Sequence, residues 1–279
     1  MIKAHILLEA ALLANAASAN AADDNISKVV DRPAIRAVDS KLLLTSELTD
    51  YSAGFGRRRE TTAEYSADFG KTAFTVSASH ARRKFEADSF TAVEVSGTLY
   101  RDWTDWLYTR THVALASDKP VFASRQVAND FNVKLLTNAV VTVGGKYARY
   151  YGDRDVFGWS AGGTWYFRGG LASYRYGNYD VDRLGNSHSH LASFRLKDPR
   201  GAGQTQLWLG TGTSLHEQEV TLSGRRGSYR SVALQRVQPI KGPLAINLTL
   251  GRTWYDTSAA DYRGTTASIG LNYSGWKAF

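Results

Sequence analysis

The densest group of side chains able to do chemistry is Ser187-His188-Ser189-His190. A hydroxyl nucleophile needs a histidine within hydrogen-bond reach to take its proton. Residues two apart on a strand share a face, so a single-strand dyad has to read His-x-Ser. Here alternation puts the two serines on one face and His188 with His190 on the other. The two histidines could instead meet His216, Glu217 and Glu219 of the next polar stretch around a cation. Loop ligands with no supporting residues in the sequence read better as a solvated rim. His188 and His190 are therefore rim candidates, with no catalytic residue and no metal ligand assigned. Cysteine is absent, which removes thiol nucleophiles, thiolate metal sites and disulfides. No glycine-rich phosphate loop follows a buried segment, so no cofactor is expected.

A second set of chemically able residues recurs at alternate positions: Glu94, Arg110, Asp130, Lys146, Arg175 and Arg195, accompanied by Tyr100, His112, Gln126, Asn132, Lys134 and Lys197. Both signs stand on neighbouring segments, which suggests Glu94 beside Arg110 and Asp130 beside Lys146. One reading is a polar interior that neutralises itself through internal ion pairs. The other is a narrow cationic path in which Arg110, Lys146, Arg175 and Arg195 meet an anionic solute. Trp106, Tyr108, Tyr166 and Trp208 could then stack on sugar faces.

Only strands would place these residues on one common surface. Segments of about ten residues with period-two alternation recur along the chain, separated by turns. They read as strands at 41–51, 60–69, 72–83, 89–101, 106–116, 122–135, 139–150, 156–167, 170–179, 189–197, 204–214, 228–238, 244–255 and 262–277. That makes about fourteen, with twelve as the alternative count. Short connections such as Gly70-Lys71 and Gly169-Gly170 alternate with longer ones such as Tyr51 to Arg59 and His216 to Arg226. In the segment 156–167, Phe157, Trp159, Trp165 and Phe167 take the two ends of one face, with Ala161 and Gly163 between them. Aromatics at both ends of a small-residue band mark two interfacial girdles around lipid. The last segment carries Thr265, Ala267, Ile269, Leu271 and Tyr273 on one face, and the chain stops at Phe279. A final strand ending on an aromatic resembles the closing strand of outer-membrane barrels, where Tyr273 and Phe279 would act as the assembly signal.

Averages hide such a protein. Hydrophobic residues are 43% and mean hydropathy is −0.32, yet only alternate residues of a barrel face lipid. No stretch reaches the roughly 18 uninterrupted apolar residues of a spanning helix. The N-terminus has a basic start at Lys3, an apolar run from Ile6 to Ala14 and small-x-small sites at Ala17-Ser18-Ala19 and Ala19-Asn20-Ala21, the parts of a secretory signal. Residues 1–21 are thus expected to be a signal peptide, 22–40 a polar periplasmic leader and 41–279 the barrel. The net charge of +8 comes from arginines spread along the chain rather than gathered in one patch. This argues against nucleic acid and toward acidic lipopolysaccharide or an anionic glycan.

Several stretches then carry a family resemblance in order and spacing. They include L-Y-R-D-W (Leu99 to Trp103), A-S-D-K-P-V-F (Ala116 to Phe122) and V-T-V-G-G-K-Y-A-R-Y-Y (Val141 to Tyr151). W-S-A-G-G-T-W-Y-F (Trp159 to Phe167), S-Y-R-Y-G-N-Y-D-V-D (Ser173 to Asp182) and T-Q-L-W-L-G-T-G-T-S-L (Thr205 to Leu215) continue the series. Together they resemble the YaiO family of outer-membrane β-barrel proteins across roughly Leu42 to Phe279. The resemblance implies an outer-membrane barrel of loosely defined role, connected with surface polysaccharide export, and carries over no catalytic residue. The expectation is a single all-β, up-and-down transmembrane barrel in a bacterial outer membrane. It would meet lipopolysaccharide, the barrel assembly machinery and polysaccharide or its export proteins, as a conduit or accessory protein. A barrel hydrolase or acyltransferase acting on lipid, and a structural or adhesive surface protein, are the alternatives.

Overall fold

A strand with lipid on one side and a lumen on the other has to alternate every second residue. The computed structural model describes residues 39–85, 88–182, 185–199, 203–213, 227–257 and 260–277, all of them strand or connection. The strands are β1 (Asp39–Tyr51), β2 (Arg57–Asp68), β3 (Thr72–Phe85), β4 (Asp88–Asp102), β5 (Leu107–Ala116), β6 (Arg125–Leu136) and β7 (Ala139–Tyr150). They continue as β8 (Arg154–Phe167), β9 (Gly170–Val181), β10 (Gly185–Lys197), β11 (Gln204–Thr213), β12 (Ser228–Lys241), β13 (Leu244–Asp256) and β14 (Asp261–Lys277). Each pairs antiparallel with its sequence neighbours, and β1 closes on β14. The expected strand count is met, and no sheet edge remains.

Closure is a full-length seam. The register runs from Asp39 opposite Lys277 to Tyr51 opposite Gly264, with one shift beside Ser40. On its inner side the Thr49 and Thr266 hydroxyls lie 2.8 Å apart. In hydrocarbon an unpaired backbone group costs several kcal/mol, so a membrane-spanning sheet has to close in this way. Parity then sorts every side chain. Leu44, Val95, Leu115, Val143, Leu250 and Ile269 point outward and are widely exposed, which water would penalise and lipid does not. Trp103, Trp106, Trp165 and Tyr273 mark one end of this outer wall, and Phe157, Trp159 and Trp254 the other. These are the two girdles. The end where β1 begins and β14 ends has mostly short turns, and the two longest connections, 117–124 and 214–227, belong to the opposite end, which assigns the two ends to the periplasm and the exterior respectively.

The strand bounds differ from expectation where side chains are used unexpectedly. β2 begins at Arg57 rather than at 60, because its arginines obey the alternation. Arg58 turns inward to Glu60 at 2.6 Å, and Arg57 stays outside on Asp50 at 2.8 Å. β6 begins at Arg125 rather than at 122, because Val121, Phe122 and Ala123 are buried inside the mouth. β12 runs on to Lys241 past a register shift at Pro239, a bulge that accommodates the missing N–H. Asp39 and Ser40 belong to β1 rather than to the leader. Residues 1–38, the loop carrying His216, Glu217 and Glu219, and Phe279 lie outside the described residues.

The wall predicts a depth-dependent asymmetry. Leu250→Arg, outward near mid-strand, should cost about 2–4 kcal/mol in urea unfolding from lipid vesicles. Ser268→Arg, inward opposite Glu47, should cost less than about 1 kcal/mol because the lumen accepts charge.

Candidate functional site in the barrel lumen

The lumen is organised around one carboxylate. Asp130 on β6 is 7% exposed and is held from both sides. Arg110, its register partner on β5, donates from Nη1 to Oδ2 at 3.3 Å. From the other side, Arg175 on β9 donates from Nη2 to Oδ1 at 2.5 Å. Two whole strands separate β6 from β9, a span of about 14 Å along an unrolled sheet. The register shows how it is crossed. Asp130 stands opposite Gly144 on β7, and Arg175 opposite Gly162 on β8. A Cβ on Gly144 would lie 2.0 Å from Asp130 Oδ1, and one on Gly162 would lie 3.3 Å from Arg175 Cβ. The two glycines clear the floor over which the guanidinium reaches the carboxylate. Each belongs to a Gly-Gly pair, and only the first member of each pair faces inward.

Around this bridge the lumen keeps a cavity of about 230 Å³. Its lining includes Tyr108, His112, Lys146 and Trp208 besides the bridging residues. Tyr100 stands opposite Arg110 in register, His112 Nδ1 and Thr98 Oγ1 are 2.9 Å apart, and Thr142 donates to Asn132 Oδ1 at 2.7 Å. Among the described lining residues Arg110, Lys146 and Arg175 face the single carboxylate Asp130, so the site is cationic. A buried charge pair needs such surrounding hydrogen bonds to offset its desolvation.

One expected pairing does not hold. Arg110 stands opposite Tyr100, and Glu94 six residues away opposite Ala116. Glu94 therefore lies toward the mouth, in the field of Glu60, Arg58 and Lys146, rather than beside Arg110. Lys146 stands opposite Ala128, diagonally across from Asp130 in the same cavity, and the Asp130 carboxylate accepts from the two arginines. Arg195 is 1% exposed and donates to Gln206 Oε1 at 2.7 Å; it forms a separate buried network toward the periplasmic end and does not line the cavity. Trp106 sits exposed on a periplasmic turn, while Tyr108 and Trp208 reach the cavity. Tyr273 faces outward. His188 and His190 are on the outer wall near the extracellular end of β10, with His190 Nδ1 2.7 Å from the Tyr174 hydroxyl. Ser187 is buried on the opposite face and donates to Thr213 O at 2.8 Å, so β10 holds no Ser–His dyad.

Two connections fold into the extracellular mouth. Phe55, between β1 and β2, stacks on Tyr262 at 4.0 Å, and Tyr262 on Tyr255 at 4.6 Å. Arg83 donates to Phe55 O at 2.8 Å and lies 3.7 Å from the Tyr51 ring centroid. Between β5 and β6, Val121 and Phe122 pack on Ala81 and Ala92, and Ala123 packs with Ala148, Tyr150, Val156 and Val181. The Arg58 guanidinium covers the Phe122 ring at 5.2 Å. The sequence reading placed residue 122 at a strand start and gave the inward glycines no role. Three apolar residues in succession beside a loop were the overlooked signal, since an exposed loop has no use for them.

A closed antiparallel wall matched to lipid, around a polar lumen, defines a transmembrane β-barrel of the outer-membrane type. Residues 39–219 match the YaiO membrane beta barrel domain. The chain belongs to the YaiO family. Among solved structures it is similar in fold to a bacterial polysaccharide outer membrane secretin, with TM-score 0.52 and 9% identity over 85% of this chain and 98% of that one. The outer membrane protein Omp33 of Acinetobacter baumannii is similar at TM-score 0.50 and 13% identity, over 86% of this chain and 99% of that one.

Gly144→Ala should force Asp130 aside and lower unfolding stability by about 1–3 kcal/mol. Gly145→Ala, whose added Cβ would meet nothing nearer than 4.0 Å, should leave the same urea midpoint unchanged.

Proposed function

We propose that this barrel is a non-enzymatic conduit or accessory protein for surface polysaccharide, whose lumen engages anionic sugar units. The observation that carries this reading is the cationic, aromatic-walled cavity of about 230 Å³ inside a closed barrel. Its volume falls below the roughly 300 Å³ at which sites for drug-sized ligands begin, which suits one sugar unit at a time. Arg110 and Arg175 present guanidinium donors matched to carboxylate or phosphate groups, and Trp208 offers an aromatic face. The fold shared with a polysaccharide secretin is compatible with the role. In this reading the N-terminal signal is cleaved near Ala22, and the assembly machinery inserts the barrel through its last strand. The inward connections at Phe55 and Val121–Ala123 keep the resting pore narrow.

Single-channel recording of the refolded chain in planar bilayers tests this. Small, anion-preferring conductance is expected, with Arg110→Glu/Arg175→Glu weakening or reversing the preference. Removing residues 119–123 should enlarge the conductance. A folded barrel that stays electrically silent even without that loop would contradict the conduit and favour the structural alternative.

A further inference from the structure

The outer wall carries an asymmetry that the lumen does not use. Strands β12, β13, β14, β1, β2 and β3 form one continuous face across the closure seam. Near the extracellular end, Arg59 on β2 stands directly opposite Arg82 on β3, both exposed on the outside. Like charges in direct cross-strand register destabilise a sheet. Arg82 donates to Ser89 Oγ at 3.0 Å, and among the described residues no carboxylate bonds either guanidinium. Of the carboxylates on this face, Asp50 is taken by Arg57 at 2.8 Å, and Asp256 and Asp261 stand opposite each other one outward step beyond Trp254 and Arg263.

A second group stands across the seam, at the extracellular ends of β12, β13 and β14. Arg230, Trp254 and Arg263 share one register line across β12, β13 and β14, and the Arg252 guanidinium lies 5.7 Å from the Trp254 ring centroid. Leu48 stands directly opposite Arg59, and toward the middle of the strands the wall is apolar, with Leu250 and Ile269 exposed. The cations therefore begin where hydrocarbon ends. Elsewhere the pattern differs. The outward Arg236, near the periplasmic end, is neutralised by Asp198 at 2.5 Å. At the extracellular level of β8 to β10 the wall presents rings in contact, Trp159 with Tyr176 at 5.5 Å and Tyr176 with His190 at 5.2 Å.

We infer that the β12–β3 face binds the phosphate groups of an outer-leaflet glycolipid, with Arg59 and Arg82 taking one phosphate between them. Guanidinium pairs suit phosphate because each offers parallel donors, and the anion removes the like-charge repulsion. The acyl chains lie along the apolar wall beneath. The inference stands apart from the lumen and from the proposed conduit.

The test is binding of bisphosphorylated lipid A to the refolded full-length chain in detergent micelles, read by native mass spectrometry. Dephosphorylated lipid A, phosphatidylglycerol and inorganic pyrophosphate serve as competitors. Saturable binding of the phosphorylated glycolipid is expected, with Arg59→Gln/Arg82→Gln weakening it about thirtyfold. Arg101→Gln, outward at the periplasmic end, should leave it unchanged. Equal binding of the dephosphorylated lipid or of phosphatidylglycerol would overturn the inference, as would an unaltered double variant. Displacement by pyrophosphate as readily as by the lipid would show a soluble-anion site instead. Should the double variant not refold, Arg230→Gln/Arg263→Gln is read in its place; weakening of the same order supports the inference, and none overturns it.

Discussion

The backbone cannot leave a hydrogen-bonding group unpaired in hydrocarbon, and this requirement fixes the rest of the molecule. The seam between β1 and β14 satisfies it, running the length of both strands. Once the sheet is closed, parity leaves each side chain one of two destinations. That division puts leucine, valine and aromatics against lipid, and arginine, aspartate, threonine and glycine against one another inside. The two proposals follow from the same division: cations directed inward form the cavity, and cations directed outward gather at the membrane boundary.

Within the lumen, the constraint is how charge is accommodated. A buried carboxylate without a partner costs several kcal/mol, while a held one can order its surroundings. Asp130 accepts from Arg110 beside it and from Arg175 across two strands. The crossing exists because Gly144 and Gly162 present no side chain at those points. Arg175 keeps 37% of its side-chain surface exposed, so the bridge is held yet open to the cavity. A solute with its own carboxylate or phosphate would meet donors already turned toward an anion.

Much of the wall was legible in the sequence because alternation is a local property. The segments 139–150 and 170–179 needed little or no change, and the aromatic ends of 156–167 became the girdles. The inner pairings were not legible, because neighbouring inward charges meet only when the register brings them level. Glu94 and Arg110 belong to paired strands yet stand six residues apart in register. The bridge from Arg175 to Asp130 joins strands that are not neighbours, so no rule about adjacent strands could find it. The mouth was misread for a different reason. Phe122 and Ala123 lie just before a real strand, and their apolar character passes for its first residues when it is in fact the packing surface of an inward loop.

The measurement that bears most directly on this account is a double-mutant cycle between Asp130 and Arg175. Asp130→Asn, Arg175→Gln and the pair would be compared by reversible urea unfolding from lipid vesicles. The account predicts a coupling energy of about 1 kcal/mol or more, in the range found for residues in direct contact. Additive effects, with coupling indistinguishable from zero, would contradict it. The lumen would then not be organised by a charge bridge across β7 and β8.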